Sequence, residues 1–182
     1  PNNLDYRDSL IDSPANNFAT LNPLDALGSA NTFSEGNLKY VVAAQSAAEE
    51  SRASFGVSSG KWYWEHKLIS STTTGGYFKV GIKSDDGTNY WNVRGSDGET
   101  DHNGSNTTVS VSYTTGDVVG VILDMDAGKW YISVNGTLQN SANIGAGTGF
   151  IHSGITGTVL PYILNASSGG THTGVANFGQ DS

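Results

Sequence analysis

The chain has no cysteine, which excludes disulfide staples and thiolate metal sites. That absence fixes no compartment, because extracellular and virion proteins can also do without cysteine. Basic residues are scarce: nine Lys and Arg stand against seventeen Asp and Glu, for a net charge of −8. A phosphate backbone or an anionic lipid surface would be repelled by this balance, so neither nucleic acid nor a membrane is expected as a partner. No apolar run approaches eighteen residues, and no basic stretch leads into an apolar one, so the residues read as neither a spanning helix nor a signal peptide. The sequence opens on Pro1 rather than Met, as expected of a processed product or a piece of a longer polypeptide. Strong helix formers are few. What is abundant is glycine, 24 residues of it, with much Ser, Thr and Asn. That composition suits an all-β chain with many tight turns. At 182 residues one domain can form and bury roughly 70% of its unfolded surface without a staple.

The first 37 residues hold three of the four prolines and many Asn and Asp, the residues of turns and extended segments. Leu10, Ile11, Phe18, Leu21 and Leu24 predict that this stretch lies over a core. Residues 1–53 therefore read as an extended segment that packs on or tethers a sandwich formed by residues 54–182. Strands are predicted over 38–43, 54–57, 61–69, 77–83, 90–93, 107–112, 118–124, 130–135, 159–164 and 174–178, with 43–53 a loop or a strand. The run Val118-Val119-Gly120-Val121-Ile122-Leu123 is apolar on both alternating faces, which predicts a central strand. Gly-Lys-Trp-Tyr occurs twice, at Gly60 to Tyr63 and Gly128 to Tyr131, without matching flanks. Both copies read as strand openings, where broad aromatic faces suit a pleated, half-buried surface. In the first, period two puts Trp62, Trp64, His66 and Leu68 on one face and Tyr63, Glu65, Lys67 and Ile69 on the other, without choosing the core side.

Several motifs that can carry chemistry lack the setting it needs. Gly56-Val57-Ser58-Ser59-Gly60 fits G-x-S-x-G, but a strand follows where a nucleophilic serine needs a helix. Asp124-Met125-Asp126-Ala127-Gly128 begins like a calcium loop, yet its twelfth position is Asn135 rather than a bidentate Glu, so a hairpin turn is expected and no metal. His66, His102, His152 and His172 show no metal-ligand spacing. A glycoside hydrolase would need a facing pair of acids, and Glu65 has only Lys67 at period two. No cofactor and no enzymatic activity are expected.

The ordered set Ser59-Gly60-Lys61-Trp62-Tyr63-Trp64-Glu65, Lys79-Val80-Gly81-Ile82, Trp91, Gly116-Asp117-Val118-Val119-Gly120-Val121-Ile122-Leu123-Asp124, Tyr131-Ile132-Ser133-Val134-Asn135-Gly136, Leu160-Pro161-Tyr162 and Asn177-Phe178-Gly179 resembles a SPRY domain. The match runs in order across residues 54–180, with Ile132 where the family usually has Phe and Asn92 where a Gly commonly follows the Trp. The resemblance implies an all-β, two-layer antiparallel sandwich of jelly-roll, concanavalin-like type that binds through loops at one end and performs no chemistry. Residues 11–24 are similar to segments that precede such domains in structural proteins of tailed phages, particularly marine ones. That similarity implies a virion appendage such as a tail fibre on the particle surface. Its partners would be a protein or a host-surface glycan, other virion chains and, in a fibre, further copies of itself.

The best binding candidates lie in the aromatic and polar stretch from Asn89 to Asn103. Tyr90, Arg94 and Asp97 lead, with Asp101, His102 and Asn103, because rings stack on sugars or anchor proteins while Asn, Asp and Arg satisfy hydroxyls. Tyr77, beside Gly75-Gly76, and His152 are lesser candidates, and Trp91 is expected in the core.

Overall fold

The structure is a computed structural model that describes residues 18–28, 31–43, 48–72, 78–165 and 170–180. Its strands are β1 (Asn31–Ser34), β2 (Lys39–Val42), β3 (Glu49–Arg52), β4 (Lys61–Ser71), β5 (Phe78–Ser84), β6 (Tyr90–Arg94) and β7 (Glu99–His102). They continue with β8 (Ser105–Thr108), β9 (Val118–Asp124), β10 (Lys129–Val134), β11 (Thr137–Leu138), β12 (His152–Ser153), β13 (Val159–Asn165) and β14 (His172–Asn177). Among the described residues they form two antiparallel sheets. One has eight strands in the order β1-β2-β14-β4-β9-β10-β11, with β12 also on β10, and the other has six in the order β3-β13-β5-β6-β7-β8. This is the predicted two-layer sandwich. Residues 31–52 supply strands to both layers, β2 beside β14 and β3 beside β13.

The strand that is apolar on both faces, β9, lies inside the larger sheet between β4 and β10. Its two neighbours open with the two Gly-Lys-Trp-Tyr copies, and both are in the same register. Lys61 and Lys129 both face Asp124, and Trp62 and Trp130 both face Leu123. The repeated tetrapeptide is therefore one local solution used on either side of a central strand. It also settles the face: Trp64, His66 and Leu68 pack inward with Val121 and Val119. Opposite them, Phe78, Val80, Ile82, Trp91, Val93 and Ile163 of the smaller sheet close the core.

Two predicted strands are shortened by tertiary contacts. Residues 54–57 form no strand. Ser54 instead exchanges hydrogen bonds with Thr20, Phe55 turns outward, and only Val57 bridges to Val159. The strand predicted over 107–112 ends at Thr108. Beyond it Val111 and Tyr113 plug the core, and the Tyr113 hydroxyl donates to the Val93 carbonyl (2.8 Å) and the Phe78 carbonyl (3.1 Å).

Polar groups are enclosed in this core. Tyr40 is fully buried and stacks on Phe78 (5.6 Å), and its hydroxyl has no hydrogen-bond partner among the described residues. Tyr40→Phe keeps the stack and removes an unpaired group, so urea unfolding is expected to show a gain of about 1 kcal/mol. A loss of similar size would mean that the hydroxyl is satisfied. His66 and His172 are buried too, with both ring nitrogens of each unpartnered among the described residues. Burial lowers their pKa from 6.5 to about 3 and about 4, respectively.

Candidate functional site

The sequence-nominated residues fall into three places. Tyr90, Asp101 and Asn103 come together where β6 begins. The Tyr90 N–H donates to Asn103 Oδ1 (3.1 Å), and Asp101 Oδ1 accepts from the Gly104 N–H (2.8 Å). Burial and then the Asp101 charge raise the pKa of the Tyr90 hydroxyl. Arg94 ends the same strand, roughly 13 Å from Tyr90 at the usual rise per residue, and Asp97 lies in the turn beyond it. They hold each other in a two-pronged ion pair (Nε to Oδ1 2.9 Å, Nη2 to Oδ2 2.7 Å), and the guanidinium also reaches Glu99 (3.1 Å). That contact keeps the Asp97 carboxyl below its usual range.

His102 and His152 turn toward the interior instead. The His102 ring stacks on Trp91 at 4.8 Å, and His152 stands edge-on to both His102 (6.2 Å) and Trp130 (5.7 Å). Burial lowers the pKa of His152. Tyr77 lies outside the described residues.

Between these groups the outer face of the six-stranded sheet carries a polar lattice. Glu50 accepts from Lys83 (2.5 Å) and from the Tyr162 hydroxyl (2.5 Å), while Lys79 lies 3.6 Å from Asp101 and 3.8 Å from Glu99. Most of its charges already face an opposite charge, so the lattice offers a rigid surface more than an open cleft.

The open cleft lies where β4 begins, built by residues that sequence reasoning did not nominate. Phe55 (46% exposed) and Trp62 (39% exposed) meet at 5.3 Å with their rings tilted by 58°. They rim a pocket of about 150 Å³ whose floor is Val57, Trp64 and Pro161 and whose remaining wall is Phe18, Ala19 and Phe178. Hydrogen bonds fix this wall. The Trp62 indole N–H donates to the Ser59 carbonyl (2.7 Å), and the Gln180 amide donates to the Ala19 carbonyl (2.6 Å) and accepts from the Phe178 N–H (2.8 Å). The loop before β4 is tied to the β9–β10 turn by the Gly60 N–H on Asp126 Oδ1 (2.8 Å) and the Met125 N–H on the Gly60 carbonyl (2.9 Å). Asp124 is occupied by Lys61 and by the Ala127 N–H, as the hairpin reading of that stretch requires.

One clue to the pocket was in the sequence: Trp62 shares the core face of β4 but stands at its first turn. Its twin Trp130 is fully buried, with Ile151 bonded to its backbone and His152 of β12 edge-on to its ring, while among the described residues Phe55 is the ring that reaches across Trp62. Phe55 comes from the loop just before β4, whereas β12 lies more than twenty residues beyond Trp130.

Among solved structures the chain is similar to the SPRY domain of human HERC1, with a TM-score of 0.68 and 18% identity over 89% of this chain and 99% of that one. It is also similar to the TRIM65 PSpry domain (TM-score 0.62, 14% identity, 87% of this chain and 91% of that one). A third likeness is to stonustoxin, with a TM-score of 0.62 and 23% identity over 87% of this chain and 27% of the toxin. No protein-family model and no curated protein matches the sequence. At these identities the likeness defines the fold: a SPRY-type, concanavalin-like sandwich.

Proposed function

We propose that the chain is a non-catalytic protein-recognition module that seats an apolar group of its partner against Phe55 and Trp62. The observation that supports this reading is the pocket itself: exposed aromatic rings held rigid by hydrogen bonds from three separate segments. Large exposed rings on a soluble surface mark contact sites, and a preorganised wall lowers the ordering cost of binding. The proposed setting is a phage virion appendage, on the similarity of residues 11–24, with a protein rather than a host-surface glycan as the target.

Binding of the purified protein to host cells or assembled particles tests this directly. Phe55→Ala and Trp62→Ala are expected to weaken binding at least about tenfold, as anchor residues do. Trp62 is partly exposed, so the thermal midpoint should move by only a few degrees. Tyr90→Ala and Arg94→Ala, on the other face, should change binding less. Undiminished binding by both pocket variants would sink the proposal, and turnover of a glycoside or an ester would replace it with a hydrolytic one.

A further inference from the structure

The chemistry of the pocket wall narrows what can enter it, provided the pocket is the recognition site argued above. Trp62, Phe55, Trp64 and Phe178 line it, and aromatic rings carry negative faces that attract a cation. The charges at the start of β4, next to Trp62 in sequence, leave a negative balance. Lys61 is held by Asp124, Asp126 is fixed beside Gly60, and the whole chain carries −8. None of the lining side chains carries a hydrogen-bond acceptor, and the Ala19 carbonyl of the wall is already used by the Gln180 amide. An unmodified ammonium or guanidinium would have to strip water from several N–H donors without replacing those bonds, which is costly. A fully alkylated ammonium has no N–H to satisfy.

We propose that the pocket takes a trimethylammonium group, presented on a trimethylated lysine side chain of the partner protein. The methyl groups fill the carbon-lined space between Phe55 and Trp62, and Asp126, fixed on the Gly60 N–H just before β4, supplies the counter-charge.

Titration of the whole protein, followed by tryptophan fluorescence and calorimetry, tests this with small probes. Choline chloride is expected to bind about tenfold tighter than its neutral carbon analogue 3,3-dimethyl-1-butanol, the difference a desolvated cation–π contact supplies. Trimethyllysine amide should likewise bind more tightly than lysine amide. Trp62→Ala should abolish choline binding, and Asp126→Asn should weaken choline but not the neutral analogue. Equal affinity for choline and the alcohol would overturn the cation and leave the apolar pocket standing. Binding of neither would overturn the inference outright, whereas the recognition module falls only if Phe55→Ala and Trp62→Ala keep partner binding. Tighter capture by phosphatidylcholine vesicles than by a trimethyllysine peptide would overturn the protein source.

Discussion

Acidification from neutrality to pH 4.5 is expected to remove a large part of this protein's stability. His66 has a pKa of about 3 in the folded chain, lowered by burial from the 6.5 of an exposed imidazole. Below pH 6.5 the unfolded chain therefore binds a proton that the folded chain refuses. The stability associated with a neutral His66 is complete above that pH and drains away as the pH falls toward 3. Near pH 4.5 this one residue costs about 3 kcal/mol, at about 1.4 kcal/mol per unit. His172, lowered to about 4, and His152 act in the same direction.

Against a total stability of about 5–15 kcal/mol, that loss is decisive. Urea midpoints measured between pH 7.5 and 4.5 should fall steeply, and His66→Leu should flatten the curve. A midpoint constant down to pH 4.5 would show that His66 is hydrated or partnered. The paired carboxylates act in a lower window. Asp86, held to about 2 by Ser84 and Thr88, matters only as the pH drops through the ordinary carboxylate range toward that value.

Gly81→Ala is the second large effect. A β-carbon at Gly81 would overlap the Trp91 carbonyl oxygen and lie 2.8 Å from Asn92 Cα and 3.0 Å from Asn92 Cβ. The first two obstacles are backbone atoms of β6, which is hydrogen-bonded to β5 and carries Trp91 and Val93 in the core on its other side. Relief requires the strands to part. A loss of about 3 kcal/mol or more is expected in urea unfolding, at the upper end of overpacking costs. Gly120→Ala is the informative contrast. There the β-carbon would meet the Ser133 hydroxyl and the ring of Tyr63, side chains that can swing aside, and Tyr63 is 53% exposed. Its cost should be clearly smaller, and equal costs would discard the distinction between backbone and side-chain obstacles.

The legible parts of the fold were those whose apolar pattern was unambiguous. Val118–Asp124 is greasy on both faces and had to be interior, and the two Gly-Lys-Trp-Tyr openings had to be alike. The strands that escaped prediction, β1, β7, β11 and β12, read NTFS, ETDH, TL and HS. Most of their residues are polar, so no alternation announces them, and they are held by pairing with stronger neighbours. At the site, the sequence nominated Tyr90 and Arg94 together from one aromatic and polar stretch, and the structure sets them at the two ends of β6. Trp62 was harder still, because what distinguishes Trp130 from it among the described residues is a partner as distant in sequence as His152 of β12. Burial of that kind depends on the whole topology, which a local pattern does not contain.

The adjacency of β2 with β14 and of β3 with β13 has a consequence for biosynthesis. In both layers an early strand lies against a strand made more than a hundred residues later. As the chain leaves the ribosome, neither layer can be completed until residues 159–177 have emerged. Long-range closure of this kind is slow, and until it happens the open rims of the partial layers are available to neighbouring nascent chains. Yield in a heterologous host should therefore depend on chaperone capacity and growth temperature more than on the final stability of the fold.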